Sequence, residues 1–499
     1  MTLRFGTDGV RGVANRELTS ELVTALGRAA VRVLGRDQPF VVGRDTRRSG
    51  PMLEAALVAG ICAEGADVLL AGVLPTPGVA HLARERGAPG AVISASHNPF
   101  ADNGIKLLAA GGRKIPEAVE LQVERELREL ATAQPEPGPE GFGVGVSSEH
   151  RSALDDYVAS LVDAVQGRHL TGLHVVVDCG NGAAFRAAPT ALRSLGATVD
   201  VLHAAPDGVN INAGCGSTHP GDVQEAVVAA RANAGLAFDG DADRVIAVDE
   251  RGELVDGDQI LAVAALDLHD RHLLRGDTVV ATVMSNLGLR RALEPYGIQL
   301  LETPVGDRNV LDELEQRNLA LGGEQSGHVI FADHATTGDG TLTGIFLLDT
   351  MARRGRPLSE LAAVMSRVPQ ILRNVAVDGA TLNGDAAFWS RVRDVDDELG
   401  DDGRVLVRPS GTEPLVRVMV EATDADAAAE AADRLVELVE HAASRSAAVR
   451  LYPFPSCVAS SGSCVGARPA RCPIRPSSCS SSPLRSPGSV TQALRWSNG

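Results

Sequence analysis

Three carboxylates stand at alternate positions in Asp239-Gly-Asp-Ala-Asp-Arg244, directly behind the apolar run Leu236-Ala237-Phe238. In an extended chain, residues i, i+2 and i+4 point to one side, so Asp239, Asp241 and Asp243 aim like charges at one spot. A cation relieves that repulsion, and hard oxygen ligands at this density suit Mg2+ or Ca2+ rather than zinc. Arg244 follows at once and adds an anion-binding group. A divalent cation beside an arginine is the equipment of phosphoryl chemistry. Three other readings compete. A solvated turn is the commonest use of a lone D-x-D. An EF-hand is suggested by Glu250 at the twelfth position, but its sixth position requires glycine and holds Arg244. Val245-Ile246-Ala247-Val248 moreover reads as a strand. An aspartate-rich phosphatase is the third, and the rest of the chain must decide it.

Ser96 begins Ser-His-Asn-Pro, with Pro99 ending the strand before it. A strand-end serine is ordinarily a cap. Opposite a metal it has a second use, because a phosphoserine carries about −1.5 to −2 charges and supplies a metal ligand itself. His97 beside it suits phosphate contact better than a core position. Lysine occurs only at Lys106 and Lys114 among 47 basic residues. Only lysine has an ammonium whose pKa can be lowered into an acid/base range, and its neighbours make Lys106 the stronger candidate. Lys114 reads as a leftover of biased codon usage. Arg408-Pro-Ser-Gly-Thr-Glu-Pro414 leaves a strand through a glycine turn. Arginine, hydroxyls and loop N–H groups there make a phosphate nest, and Arg417 adds a second fork. Gly180-Asn181-Gly182 follows a strand, but Phe185 replaces the third glycine of a dinucleotide fingerprint. Neither lysine fits a Walker A loop, so neither NAD nor ATP is expected.

These groups need elements to hold them. With 499 residues, 44% hydrophobic and 22% charged, the chain is long enough for several domains of ordinary globular composition. The net charge of −17 argues against a nucleic-acid or anionic-membrane partner. No run is long and apolar enough to span a bilayer, Met1-Thr-Leu-Arg4 lacks a signal-peptide core, and the three isolated cysteines of the main body fit a reduced compartment. The expected location is the cytoplasm.

Leu22, Val23, Leu26, Ala30, Val33 and Leu34 form one helical face behind a Thr19 cap. Apolar runs at 40–42, 68–70, 91–93, 175–177, 197–202, 279–283 and 319–321 read as strands alternating with helices. That pattern implies right-handed βαβ units and mostly parallel sheets. A fourth, smaller unit has strands at 405–407 and 416–420 and a helix over 425–441. A linker is expected at Pro135-Glu-Pro-Gly-Pro139. Ser94–Pro99, Asp239–Arg244 and Gly323–His328 each follow an apolar strand, and ligand sites in open α/β sheets lie at such ends. After Ala447 come four of the seven cysteines, many serines, six arginines and no acid. That composition predicts a disordered tail, and its cysteine spacing fits no usual zinc pattern.

The motifs Phe5–Gly12, Ser94–Pro99, Asp239–Arg244, Gly323–His328 and Arg408–Pro414 match, in order, those of the α-D-phosphohexomutase family, and the chain resembles that family over roughly residues 1–446. The resemblance implies an α/β protein of four domains around a central cleft: three similar mixed α/β domains at 1–140, 150–253 and 254–368, then a smaller α+β domain at 369–446, with the tail at 447–499. It implies that Ser96 is the phosphoserine and that one Mg2+ is held by Asp239, Asp241, Asp243 and the Ser96 phosphate. Glu324 and Ser326 would contact sugar hydroxyls. Arg408, Ser410, Gly411, Thr412 and Arg417 would hold the non-reacting phosphate. Arg244 joins the substrate-binding set, while Lys106, Arg11, His97 and His328 become proton-transfer or phosphate-orienting groups. The implied reaction interconverts glucosamine 6- and 1-phosphate through a phosphoserine and a 1,6-bisphosphate, which also serves as activator, and supplies amino-sugar nucleotide and cell-wall precursor synthesis. Glucose or mannose phosphates are the alternative substrates, and a non-catalytic sugar-phosphate sensor is the alternative of another class. A kinase or self-phosphorylation is expected to prime Ser96. Pro304 and Asn309 depart from the family pattern, which expects lysine or a small residue and tyrosine there.

Overall fold

The computed structural model describes residues 5–6, 9–132, 137–377, 382, 384–409 and 415–450, with side chains from 131–132 and 445–450 excepted. Ser410, Gly411 and Thr412, the first two residues of the expected linker (Pro135 and Glu136) and nearly all of the expected tail lie outside these residues.

The strands are β1 (Val10–Val13), β2 (Phe40–Arg44), β3 (Val68–Val73), β4 (Gly90–Ile93), β5 (Asp102–Ala109), β6 (Arg113–Lys114) and β7 (Ser147–Glu149) in the first sheet. Its order is β1-β5-β4-β2-β3-β7, with β6 beside β5. The second sheet holds β8 (His174–Asp178), β9 (Thr198–Leu202), β10 (Ala234–Phe238), β11 (Val245–Asp249) and β12 (Leu254–Val255), in the order β12-β11-β10-β8-β9. The third holds β13 (Thr278–Thr282), β14 (Gln299–Thr303), β15 (Leu321–Gly323) and β16 (Val329–Phe331), in the order β14-β13-β15-β16. A last sheet, β17-β19-β18, is antiparallel throughout, with β17 (Gln370–Val375), β18 (Gly403–Pro409) and β19 (Val416–Ala422).

The expected helix is Ser20–Leu34: Thr19 accepts the Leu22 N–H, and Val23, Leu26 and Ala30 are buried. The last helix runs to Arg450, well past the expected end, because nothing in Ala442–Arg450 breaks it. The strand expected at 319–321 begins instead at Leu321.

The sheets are mixed rather than mostly parallel, and the exceptions build the site. β4 pairs antiparallel with β5, β10 with β11, and β15 with β16. The connections of these three hairpins are 94–101, 239–244 and 324–328, the three polar motifs. One device is thus used three times: a strand inside the sheet turns back through its motif into an antiparallel neighbour. Packing fixes the three hairpins against each other. One continuous apolar core runs from Val92 and Leu108 of the first sheet through Leu236 and Phe238 of the second to Val279 and Phe331 of the third. Such close-packed cores transmit position with little slack. The last sheet has its own core around Phe388, Val418 and Leu435.

Candidate active site

Asp239, Asp241 and Asp243 are all buried, and one oxygen of each lies within 4.8 Å of the others. They do not converge by strand alternation. Register pairing ends at Phe238–Val245, so the carboxylates sit in the turn between β10 and β11, where Ala242 takes a left-handed backbone with φ 56°. Ala242 donates its N–H to Asp239 O and accepts from Gly340 N, which seats the turn on the first residue of the helix Gly340–Arg354.

Lys106, on β5 and fully buried, donates to Asp241 Oδ2 at 2.9 Å and Asp243 Oδ2 at 3.3 Å. The Thr76 hydroxyl donates to the same Asp241 oxygen at 2.6 Å. Burial and the neighbouring Asp243 and Asp241 charges push the Asp239 carboxyl well above its ordinary range. Burial pushes Asp243 the same way, but Lys106 and His328 outweigh it and hold the group well below. Two cations, the Lys106 ammonium and the Arg244 guanidinium with Nε 3.8 Å from Asp243 Oδ1, face these three carboxylates. Asp241 Oδ1 and Asp243 Oδ1 are buried with no hydrogen-bond partner, a costly state for carboxylate oxygens. These oxygens fit a hard divalent cation, which would be held by Asp239, Asp241 and Asp243.

Ser96 is buried at the head of the β4–β5 connection, and its hydroxyl donates to Asp239 Oδ2 at 2.5 Å. Its backbone is strained into φ 51°, a conformation that surrounding bonds must impose on a non-glycine residue. Ser94 Oγ accepts the Ser96 N–H at 2.9 Å. The Ser96 carbonyl accepts from Asn212 Nδ2 at 2.9 Å and from Arg47 Nη2 at 2.8 Å. A side chain on Gly240 would place its Cβ 2.5 Å from that carbonyl oxygen, so the two hairpins touch only because this residue is glycine.

Sequence reasoning missed Arg47. It is fully buried against Asp45, with Nε 2.8 Å from Oδ2, and its fork also donates to the carbonyls of Asn98, Pro99 and Asp102. One guanidinium thus holds the whole serine connection. The available signal was Gly43-Arg-Asp-Thr-Arg47, another polar run leaving an apolar strand. Arg47→Lys keeps the charge on Asp45 but loses the fork. The expected result is a fall in kcat on the order of 100-fold, with KM moving less than kcat, as steady-state kinetics on folded variant will report. A wild-type kcat would contradict the positioning role.

His97 Nδ1 lies 3.2 Å from Arg244 Nη1 and 3.4 Å from Ser96 Oγ. Burial and then Arg244 push its pKa down. Since guanidinium only donates, His97 accepts from Arg244 at Nδ1, with the ring proton on Nε2. Arg244 also donates its backbone N–H to Asp239 Oδ1 at 3.2 Å. Arg11, on β1, reaches Asn98 Oδ1 at 3.5 Å.

His328 is buried between two carboxylates, with Nδ1 3.8 Å from Asp243 Oδ2 and Nε2 3.7 Å from Asp307 Oδ2. Burial pushes its pKa down, and Asp243 pushes it up by more. Gly338 N nonetheless donates to Nε2 at 3.0 Å, which requires a lone pair there. The ring is therefore neutral, with Nδ1–H toward Asp243. A Cβ on Gly338 would strike the ring at 2.5 Å. Lys106 and His328 both face carboxylates here rather than the Ser96 hydroxyl.

Glu324 Oε1 accepts the Gly306 N–H at 3.3 Å, and Ser326 Oγ lies 3.4 Å from Glu324 Oε2 on the exposed side. Asn309 Nδ2 donates to the Pro304 and Val305 carbonyls at 3.3 and 3.1 Å, so this departure from the family pattern braces the same loop. Lys114, read from sequence as incidental, is nearly buried in an ion pair with Asp307, beside His328. Arg408 and Arg417 are direct cross-strand partners on β18 and β19. Burial and Arg417 push the Arg408 pKa down. Like charges placed opposite each other destabilise a sheet.

The sequence matches four consecutive family descriptions: phosphoglucomutase/phosphomannomutase alpha/beta/alpha domain I at residues 2–134, domain II at 155–252, domain III at 256–368, and the C-terminal domain at 351–438. It is 53% identical over 447 residues to a phosphoglucosamine mutase of Streptomyces avermitilis, covering 88% of this chain and 99% of that protein. Among solved structures it is similar to a phosphoglucomutase/phosphomannomutase family protein of Burkholderia thailandensis, with a TM-score of 0.75, 29% identity, and coverage of 87% of this chain and 97% of that one. It shares its fold with N-acetylphosphoglucosamine mutase of Aspergillus fumigatus, solved with GlcNAc-6P and magnesium, at a TM-score of 0.64 and 16% identity over 89% of this chain and 96% of that one. No helix among the described residues is long and apolar enough to cross a membrane.

Proposed function

The chain belongs to the phosphoglucomutase/phosphomannomutase family, and from that premise we propose that it interconverts glucosamine 6-phosphate and glucosamine 1-phosphate. The single observation that carries the reading is Ser96 Oγ at 2.5 Å from Asp239, inside a triad of buried carboxylates. A phosphate on Ser96 would bring further negative charge to these carboxylates, so a phosphoserine and a divalent cation belong together here. Mg2+, when bound by Asp239, Asp241 and Asp243, supplies charge stabilisation for the transferring group.

The residues of the chain do the rest. The phosphoryl group leaves Ser96 Oγ for the free sugar oxygen, giving a 1,6-bisphosphate and a free serine hydroxyl. After the bisphosphate turns over, the other phosphoryl group returns to Ser96 Oγ and the isomeric monophosphate leaves. The same bisphosphate restores the phosphoserine when it binds a dephosphorylated chain, which makes it the activator. Arg47, Ser94 and Asn212 hold the serine backbone still during both transfers. His97, Arg11 and Arg244 orient the phosphoryl oxygens, while Lys106 and His328 fix the carboxylates. Glu324 and Ser326, on the β15–β16 connection, face sugar hydroxyls. Arg408 and Arg417 grip the phosphate that does not react, together with Ser410, Gly411 and Thr412. The 53% identity to a phosphoglucosamine mutase supports glucosamine over glucose and mannose.

Comparing kcat/KM for the 6-phosphates of glucosamine, glucose and mannose in a coupled assay tests the assignment. Glucosamine 6-phosphate is expected to be preferred, and a preference for either other sugar would overturn it. Arg408→Ala and Arg417→Ala are each expected to lower kcat/KM roughly 10- to 100-fold, since a charged hydrogen bond contributes about 1.5–3 kcal/mol. KM rises and kcat falls, because the gripped phosphate also sets orientation. Wild-type kinetics in both variants would remove them from the site.

A further inference from the structure

A second cluster of ligand-type side chains lies behind the aspartate turn. Asp178 ends β8, His203 follows β9, and Cys215 sits in the loop before the helix Gly221–Ala230. One ligand atom of each lies within 4.8 Å of the others; Asp178 and Cys215 are buried, and His203 is partly exposed. A carboxylate oxygen, an imidazole nitrogen and a thiol sulfur form a donor set for borderline transition ions, not for Mg2+.

The decisive residue is His203. Its Nε2 lies 3.1 Å from Asp222 Oδ2, close enough for a proton on Nε2 to serve that carboxylate. A carboxylate behind the ring in this way is the usual partner of a metal-ligating histidine. That tautomer leaves a lone pair on Nδ1. Nδ1 is 3.0 Å from Asp178 Oδ1, yet it is buried and makes no hydrogen bond. Two electron-rich atoms therefore approach to contact without pointing at each other, as two ligands of one ion do. Neither can turn away. Asp178 Oδ1 and Oδ2 are held by the Gly180 and Gly216 N–H groups, both at 2.8 Å. The His203 backbone is fixed at φ 44°, and its carbonyl accepts from Asn181 N at 2.7 Å. Asn181 Nδ2 also reaches Cys215 Sγ at 3.9 Å.

We propose that Asp178 Oδ1, His203 Nδ1 and Cys215 Sγ form a site for a divalent ion of the Zn2+ class. Water supplies the fourth ligand from the side on which the His203 side chain is 28% exposed. Binding releases the thiol proton to solvent and leaves Cys215 as a thiolate ligand. The ion joins the loops after β8 and β9 directly under the catalytic turn. Ala183 N donates to Gly240 O at 2.8 Å and Ser217 N to Phe238 O at 3.0 Å, one from each of the two loops that carry the ligands.

Co2+ titration of the full chain tests this, in a background where Cys62, Cys457, Cys464, Cys472 and Cys479 are serine. The expected result is one equivalent of Co2+ with a near-ultraviolet thiolate-to-cobalt charge-transfer band, displaced by Zn2+. The all-oxygen aspartate triad cannot produce that band. Cys215→Ser should abolish it, and Asp222→Asn should weaken Co2+ binding about 10- to 100-fold. Where Cys215→Ser fails to fold, His203→Gln decides, with the same loss of the band expected. No thiolate band, a band that survives these ligand substitutions, or unchanged affinity in Asp222→Asn would overturn the site.

Discussion

Ser96→Ala is expected to lower mutase turnover by at least about 10^4-fold, the scale seen when a covalent nucleophile is removed. The relay loses its carrier: without Oγ there is no phosphoserine to give and no acceptor for the returning group. The fold should survive. The Ser96 bonds that hold the connection are made by its backbone N–H and carbonyl, which alanine keeps, and the lost hydroxyl contacts are those with Asp239 and His97. Tm close to wild type, with no phosphate found on the 94–101 segment by mass spectrometry, completes the expected result. Turnover within tenfold of wild type would remove Ser96 from the reaction.

The second large effect is expected from Asp241→Asn. Asp241 Oδ2 accepts from both Lys106 and Thr76, while Oδ1 is buried without a partner. An asparagine must keep its carbonyl oxygen where those two donors are. Its NH2 group then points where Oδ1 stood, toward the cation. The substitution thus removes a charge and also turns a ligand into a donor. Mg2+ affinity measured by calorimetry should fall at least tenfold, and kcat on the order of 100-fold, since removing a single electrostatic stabiliser of a transition state costs that much. Calorimetric affinity equal to wild type would contradict the role of Asp241 in the metal shell.

Much of the site was legible in the sequence because strand-end motifs have a local signature. An apolar run followed by Asp239–Arg244 or by Ser94–Pro99 points to a ligand whatever the distant chain does. The geometric reason given for the aspartates was nevertheless wrong. The carboxylates converge through a turn with a left-handed Ala242, and period-2 reasoning does not extend past Phe238. The antiparallel direction of the return strands was also hidden: Val245–Val248 reads as a strand, but an apolar run of four does not say which way it pairs. What a sequence conceals most is pairing over distance. Lys114 and Asp307 are 193 positions apart, and Lys106 and Asp241 are 135 apart. Lys106 stood out through its neighbours, whereas Arg113 beside Lys114 gave no hint of its distant acidic partner. Arg47 went unread because, Asp45 apart, its partners are main-chain carbonyls, which carry no residue-specific signal.

The central claim is that the phosphoryl group on Ser96 is the group transferred to the sugar. Labelling Ser96 with radioactive phosphate and mixing the enzyme in a single turnover with glucosamine 6-phosphate and Mg2+ tests it directly. The account predicts that label leaves Ser96 and appears first in glucosamine 1,6-bisphosphate, then in the monophosphates, at a rate no slower than kcat. Label that stays on Ser96 through many turnovers would contradict it.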